Sequence, residues 1–144
     1  MDRAMQWMDL FYTPSLVWVR ISDGGIARIG LTQQISDYLK SIDEDGSIRF
    51  RLKPVGTRVK QMETLGLVDV KNLSFEISSP LSGIVRSFNG EVLKKPVIIY
   101  EDPETRWIVE VEAENIEEEA KHLLSPHHYR ELCRNLWYFL RIQL

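Results

Sequence analysis

Three histidines within seven residues, His122, His127 and His128, are the first side chains in this sequence that could do chemistry, because imidazole is a common metal ligand. On a helix His127 and His128 would point about 100° apart, so they could not easily share one ion. The His-x-x-x-His spacing is absent, and no cysteine pair accompanies the cluster. We therefore predict exposed or cap-forming histidines and no metal site.

Acidic side chains form two groups that could bind a cation. One is Asp43-Glu44-Asp45, and the other is a run of six glutamates between residues 110 and 119. Neither group has the glycine-punctuated ligand spacing of a calcium loop. A solvated acidic face is predicted for both.

Motifs of hydrolases and nucleotide-binding proteins are absent from the sequence. There is no G-x-S-x-G, no Walker loop and no G-x-G-x-x-G. Because Cys133 is the only cysteine, the chain cannot form an internal disulfide, a thiolate metal cage or a CxxC redox pair. Nothing assembles a nucleophile, a base and an orienting group. We predict that the protein is not an enzyme, and that any chemistry would come from a borrowed cofactor.

Composition and charge limit the classes of partner. A chain of 144 residues with 44% hydrophobic and 27% charged residues is typical of a globular domain. The net charge of −3 gives no electrostatic case for nucleic acid or for an anionic membrane. No apolar run approaches the roughly 20 residues of a membrane span, and residues 1–10 lack the apolar region of a signal peptide. We expect a cytoplasmic protein with neither kind of partner.

Short β-like segments alternate with turn signals from residue 16 to residue 111, which predicts a sandwich or barrel. The predicted strands are residues 16–21, 26–31, 48–52, 65–70, 74–77, 83–88, 97–100 and 106–111. This part of the chain is therefore expected to be mainly β.

Helical patterns occur in three places. Thr32 can cap a short helix with Ile35, Tyr38 and Leu39 on one face. Asn115 and Glu118 resemble a capping box for a helix that buries Ile116, Ala120 and Leu123. Ser125-Pro126 opens the clearest helix. Its apolar stripe consists of Tyr129, Leu132, Cys133, Leu136 and Leu140.

A β-hairpin is predicted at residues 65–83, where two apolar-alternating strands flank the polar pair Lys71-Asn72. From the residues alone, Lys71 is an exposed turn lysine. The layout of the whole segment, including the SPLSG turn at residues 79–83, is similar to a lipoyl-attachment hairpin, in which a tip lysine carries a dithiolane arm.

Further segments on both sides of the hairpin extend this similarity. They are Tyr12-Thr13, Trp18-Val19 and residues 27–32, 52–59, 101–103 and 107–108. In this order the chain resembles the H-protein family of the glycine cleavage system, and the resemblance covers about residues 11–111. It implies a lipoyl-domain-like flattened β-barrel or sandwich with the hairpin tip displayed at one end. In this family a lipoyl group on the tip lysine shuttles an aminomethyl group among the enzymes of glycine cleavage.

The sequence departs from the family pattern at the positions that matter for this role. Without gaps, the family lysine falls on Asn72 rather than Lys71, and the family acid three residues earlier falls on Asp69. The family's His-Glu-Trp reads Leu16-Val17-Trp18, which places an aliphatic residue where the acid near the loaded arm is expected. The segment between residues 103 and 107 is also shorter.

We therefore predict an H-like protein that presents the hairpin to lipoate-dependent enzymes of glycine cleavage or a related pathway and is poorly or not lipoylated. The alternatives are a working carrier with lipoic acid on Lys71 and a non-catalytic interaction module. Residues 1–113 are predicted to form the lipoyl-type domain with an N-terminal extension. Residues 114–144 are predicted to form helices that pack on it, with an apolar end that packs on the barrel or forms a homo-oligomer.

Overall fold

The computed structural model describes residue 7 and residues 10–143, with side chains up to residue 135. In this part of the chain nine strands form two antiparallel sheets, which confirms the predicted mainly β class. The strands are β1 (Phe11–Tyr12), β2 (Val17–Ile21), β3 (Ile26–Leu31), β4 (Arg49–Leu52), β5 (Arg58–Val59), β6 (Thr64–Val70), β7 (Leu73–Ser78), β8 (Gly83–Phe88) and β9 (Val109–Ala113).

The two sheets enclose the core because their inward-facing positions are apolar. The larger sheet has the order β1-β2-β3-β9-β8-β5, and the smaller has the order β4-β6-β7. Val19, Ile29 and Val111 from the larger sheet and Val68 and Ile77 from the smaller are almost completely buried in one cluster. Alternating burial of this kind fixes strand register, since a one-residue slip would turn the apolar set outward.

Four helices and two 3₁₀ segments connect or follow the strands in the described residues. They are α1 (Gln33–Ile42), α2 (Gly90–Lys94), a 3₁₀ segment at Pro96–Tyr100, α3 (Ile116–Glu119), a 3₁₀ segment at Ala120–His122 and α4 (Pro126–Gln143). Helix α4 begins as predicted, because the Ser125 hydroxyl accepts a hydrogen bond from the His128 amide at 3.2 Å.

A second apolar cluster covers the outer side of β2. Trp18 crosses above Gly30 of β3, where a Cβ would collide with the indole ring. The ring of Tyr129 in α4 stacks on that of Tyr12 with a centroid distance of 4.1 Å. The amides of Tyr12 and Leu124 each donate to the other's carbonyl, at 2.8 and 2.7 Å. The start of the C-terminal helix therefore packs on the sheet.

Several sequence-based expectations are wrong in detail. Residues 97–100, predicted as a strand, form a 3₁₀ segment, because Pro96 lacks an amide for a ladder and its fixed φ suits a first helical position. The capping box at Asn115 is not formed, and α3 is a single turn with no buried residue. Tyr38, expected on the buried face of α1, is half exposed. The strand predicted at 106–111 runs instead over Val109–Ala113.

Candidate functional site

The hairpin of β6 and β7 ends in a two-residue loop. Val70 pairs with Leu73, so Lys71 and Asn72 alone form the turn, and both are exposed. Lys71 has a φ of +53°, whereas Asn72 has a negative φ. A positive φ at the first loop position is a feature of the two-residue turns that suit the twist of a hairpin. The structure therefore places both predicted residues at an exposed tip, in two different backbone conformations.

The strands below the tip hold this geometry because their two faces have different chemistry. Val68 and Val70 face the core and are almost completely buried. Asp69 points to the other face, where its carboxylate accepts two hydrogen bonds from Arg51 of β4, at 2.6 and 3.0 Å, and one from the Ser74 hydroxyl. One side chain thus links all three strands of the smaller sheet.

Electrostatics strengthen this link. Hydrogen bonds from Arg51 and then Ser74 lower the pKa of Asp69 from 3.8 to about 2. The second arginine of β4, Arg49, lies 3.6 Å from the same carboxylate. Asp69 is the position that matches the family acid before the lysine, and it is fully engaged within the sheet.

The amine of Lys71 has an acidic neighbour that the sequence did not reveal. Its Nζ lies 3.1 Å from Oε2 of Glu44, in the loop after α1. Lys71 is 42% exposed and Glu44 is 81% exposed, so the pair stands at the surface. Between Glu44 and Lys71 lie 26 residues and three strands, so the sequence carries no local signal for the contact.

The acidic group at residues 43–45 is not uniformly solvated, contrary to expectation. Asp43 is buried, and its carboxylate accepts hydrogen bonds from the amides of Ser47 and Ile48 and from the Tyr100 hydroxyl. Burial alone would raise its pKa, but these hydrogen bonds hold the pKa below its ordinary value. Asp43 therefore serves as the anchor of the loop that carries Glu44.

Glu104, which the sequence analysis did not single out, organises the region around β1 and α1. Its carboxylate accepts from the Tyr12 hydroxyl at 2.9 Å and from the Gln33 amide at 3.1 Å. The second contact satisfies the first turn of α1, where Thr32 makes no side-chain cap. Burial, followed by the hydrogen bond to Glu104, raises the pKa of Tyr12.

Val17, which stands where the family has an acid, is not accessible to a ligand. Val17 is 1% exposed and packs in the main core, and the preceding Leu16 has a φ of +66°. The aliphatic residue therefore has a packing role in β2.

The histidines are not brought together as ligands. The His127 imidazole lies 3.3 Å from the Glu131 carboxylate, and Nδ1 of His128 lies 3.1 Å from the Ser125 hydroxyl. Among the residues whose side chains are described, no three His, Cys, Asp or Glu side chains are grouped to hold a metal ion. No helix in the described part of the chain is long and apolar enough to cross a membrane.

Comparison with known proteins agrees with this geometry. The family model of the glycine cleavage H-protein matches residues 10–136. The "Probable glycine cleavage system H protein 1" of Saccharolobus solfataricus is 34% identical over 124 residues, which are 85% of this chain and 87% of that protein. The glycine cleavage system H protein of Carboxydothermus hydrogenoformans is 32% identical over 125 residues, 86% of this chain and 91% of that protein.

A solved structure supports the fold. The crystal structure of a glycine cleavage system H protein from Mycobacterium marinum has a TM-score of 0.65 and 24% sequence identity to this chain. The match covers 84% of this chain and 93% of that one, which confirms the predicted lipoyl-type barrel. The chain belongs to the glycine cleavage H-protein family, whose members are lipoyl carriers and not enzymes.

Proposed function

We propose that this chain is an H-protein-like module that presents its hairpin tip to lipoate-dependent enzymes while accepting little or no lipoate itself. The observation that carries the proposal is the identity of the tip residues. Asn72 occupies the second loop position, onto which the family lysine falls, and Lys71 occupies the first.

The chemistry of the two side chains supports poor modification. Lipoate is attached by an amide bond to a lysine amine, and the Asn72 side chain is already an amide and a poor nucleophile. Lys71 has the right group, but it stands at the position with positive φ, and neighbouring hairpin residues project differently. The tip residues therefore do not fit the lipoyl arm in the family's register.

The site of the missing acid supports the same proposal. A carrier of an aminomethyl group benefits from a carboxylate that can receive the ammonium of the loaded arm. Val17 offers none, because it is aliphatic and buried. A module of this kind would act by docking, with the tip as its recognition element.

The partners we propose are the lipoate-dependent enzymes of glycine cleavage or of a related pathway, since members of this family act with such enzymes. We propose a reducing compartment, the cytoplasm, as the place where they meet. With Cys133 as its only cysteine, the chain has no internal disulfide to maintain.

The C-terminal helices are proposed to belong to the same structural unit as the barrel. The Tyr129 ring stacks on Tyr12, and Ser82 after β7 donates to the Glu119 carboxylate of α3. The structure does not describe the side chains of residues 136–144. These residues include Leu136, Leu140 and the apolar end at residues 137–144 that is predicted to pack. Their packing on the barrel or on a second copy stays a prediction.

A working carrier loaded at Lys71 is the second candidate. It is favoured by one observation, namely that the Lys71 amine is exposed on the tip loop. A single experiment separates the two candidates. Wild-type protein and the double variant Lys71→Asn/Asn72→Lys are each incubated with a lipoate ligase, lipoate and ATP and then weighed intact.

The double variant is compatible with the hairpin backbone. Asparagine tolerates the positive φ of the first loop position, and the second position has a negative φ that lysine adopts readily. We expect little loading of the wild type and substantial loading of the variant. Lys71→Ala in the wild-type background is the control for modification elsewhere. Full loading of the wild type that disappears in Lys71→Ala would contradict the proposal and favour the working carrier.

A further inference from the structure

We infer that Glu44 restrains the Lys71 amine and lowers the rate at which it is acylated. This inference rests on the proposed function and concerns the regulation of the same tip. It adds a second cause for poor modification, one that acts through an ion partner rather than through the position of the lysine in the loop.

The loop that carries Glu44 is held in place by its neighbour Asp43. The buried Asp43 carboxylate accepts hydrogen bonds from the Ser47 amide at 2.8 Å, from the Ile48 amide at 3.3 Å and from the Tyr100 hydroxyl at 2.7 Å. Gly46 completes the turn with a φ of +68°, a conformation that glycine adopts without steric cost. The backbone next to Glu44 is therefore tied to the start of β4 and to the 3₁₀ segment.

Helix α1, which leads into this loop, is fixed as well. Leu39 is fully buried, and the Ser36 hydroxyl donates to the Ile99 carbonyl at 3.3 Å. Tyr38 packs edge-on against Phe75 of β7, with ring centroids 6.1 Å apart. This last contact joins α1, which leads to Glu44, directly to the hairpin that carries Lys71.

Few acidic side chains are available to pair with the Lys71 amine at the tip. The closest acid on its own hairpin, Asp69, points to the outer face and is already bonded to Arg51 and Ser74. Among the described residues, the Lys71 amine forms an ion pair with Glu44, with the two charged groups 3.1 Å apart.

The chemistry of acylation explains why this pair matters. An amine attacks an activated carbonyl only after it has lost a proton, a new N–C bond then forms and the activating group leaves. The Glu44 carboxylate, 3.1 Å from the amine, holds that group at one place, so its approach to the activated carbonyl is disfavoured. An exposed pair of this kind has a modest effect, which corresponds to about a twofold to fivefold change in rate.

Trace labelling with acetic anhydride tests the inference without any ligase. In this reaction the amine nitrogen bonds to one acetyl carbon, acetate leaves and the proton goes to solvent. Wild type, Glu44→Gln and Asp45→Asn are labelled briefly, and peptide mass spectrometry measures acetylation of Lys71 relative to the exposed Lys94 in the same molecule. Asp45→Asn is the matched control, because Asp45 is an exposed acid beside Glu44 that forms no ion pair in the described structure.

We expect labelling of Lys71 to rise about twofold to fivefold in Glu44→Gln and to stay unchanged in Asp45→Asn. An equal rise in both variants would reveal a general charge effect, and no rise in either would show that the pair does not restrain the amine. Both outcomes would overturn the inference. Neither would affect the proposed function, which depends on loading by a ligase and on the exchange of residues 71 and 72.

Discussion

Replacing Asp69 by asparagine is expected to weaken the smaller sheet in a way that depends on pH. The pKa of Asp69 is lowered from 3.8 to about 2 by its hydrogen bonds to Arg51 and Ser74. A difference of one unit between folded and unfolded pKa values corresponds to about 1.4 kcal/mol, so the whole difference corresponds to about 2.4 kcal/mol. Because the Arg51 side chain is 57% exposed, solvent screens the pair, and we expect about 1–2 kcal/mol.

The pH dependence of this stabilisation follows from the lowered pKa of Asp69. A carboxylate with a lowered folded pKa contributes its full stability above the unfolded value, near pH 4, and loses it as the pH falls through about 2. The free energy of unfolding of Asp69→Asn should therefore be lower than that of wild type at pH 7. The difference should shrink steadily between pH 4 and pH 2.

Urea denaturation of both proteins, followed by circular dichroism over this pH range, measures the difference. Glu76→Gln is the control, because Glu76 is an exposed acid on the neighbouring strand β7. Its free energy of unfolding should follow that of wild type at every pH. A difference between Asp69→Asn and wild type that is the same at pH 7 and pH 3 would refute the reasoning, since it would show that the carboxylate charge is not what stabilises the sheet.

Two further substitutions test packing. Leu132→Ala should lower the melting temperature by an amount equivalent to about 1–2 kcal/mol, less than the 2–5 kcal/mol typical of a fully buried leucine, because Leu132 is only half-buried. An unchanged melting temperature would show that α4 is a loose appendage. Gly83→Ala should cost about 1–3 kcal/mol in urea denaturation, since its Cβ would overlap the Glu112 carbonyl of β9; Gly90→Ala, where a Cβ meets open space, should not show this loss.

The strands that alternation predicts well are those with one core-facing side and a turn at each end. Residues 26–31 and 83–88 were predicted with the bounds observed, and the hairpin with Lys71 and Asn72 at its tip was predicted from two polar residues between alternating strands. In these segments the local pattern and the tertiary fold agree, so local information is sufficient.

The errors fall where a distant contact decides the structure. The apolar run at residues 97–100 fits a strand or a buried 3₁₀ turn equally well. In the 3₁₀ turn the Ile99 side chain is buried, and its carbonyl accepts a hydrogen bond from the Ser36 hydroxyl of α1. Asn115 still precedes α3, but its side chain makes no capping hydrogen bond, and α3 stops after one turn.

The same limit applies to the candidate site. The position of Lys71 and Asn72 at an exposed hairpin tip could be predicted from the sequence pattern alone. The ion pair with Glu44 and the contacts of Glu104 with Tyr12 and Gln33 could not, because each joins side chains far apart in sequence. A local pattern therefore identifies the tip but not the groups that hold it.

The reciprocal hydrogen bonds between Tyr12 and Leu124 also bear on aggregation. Strand β1 is an outer strand of the larger sheet, and the free edge of a sheet is a template on which the strand of another molecule can add. Here Leu124 occupies the amide and the carbonyl of Tyr12 on that edge, and Tyr129 stacks on the Tyr12 ring immediately beyond it. The chain thus blocks its own sheet edge with its C-terminal segment, and a variant that detached α4 would expose a surface prone to intermolecular β-pairing.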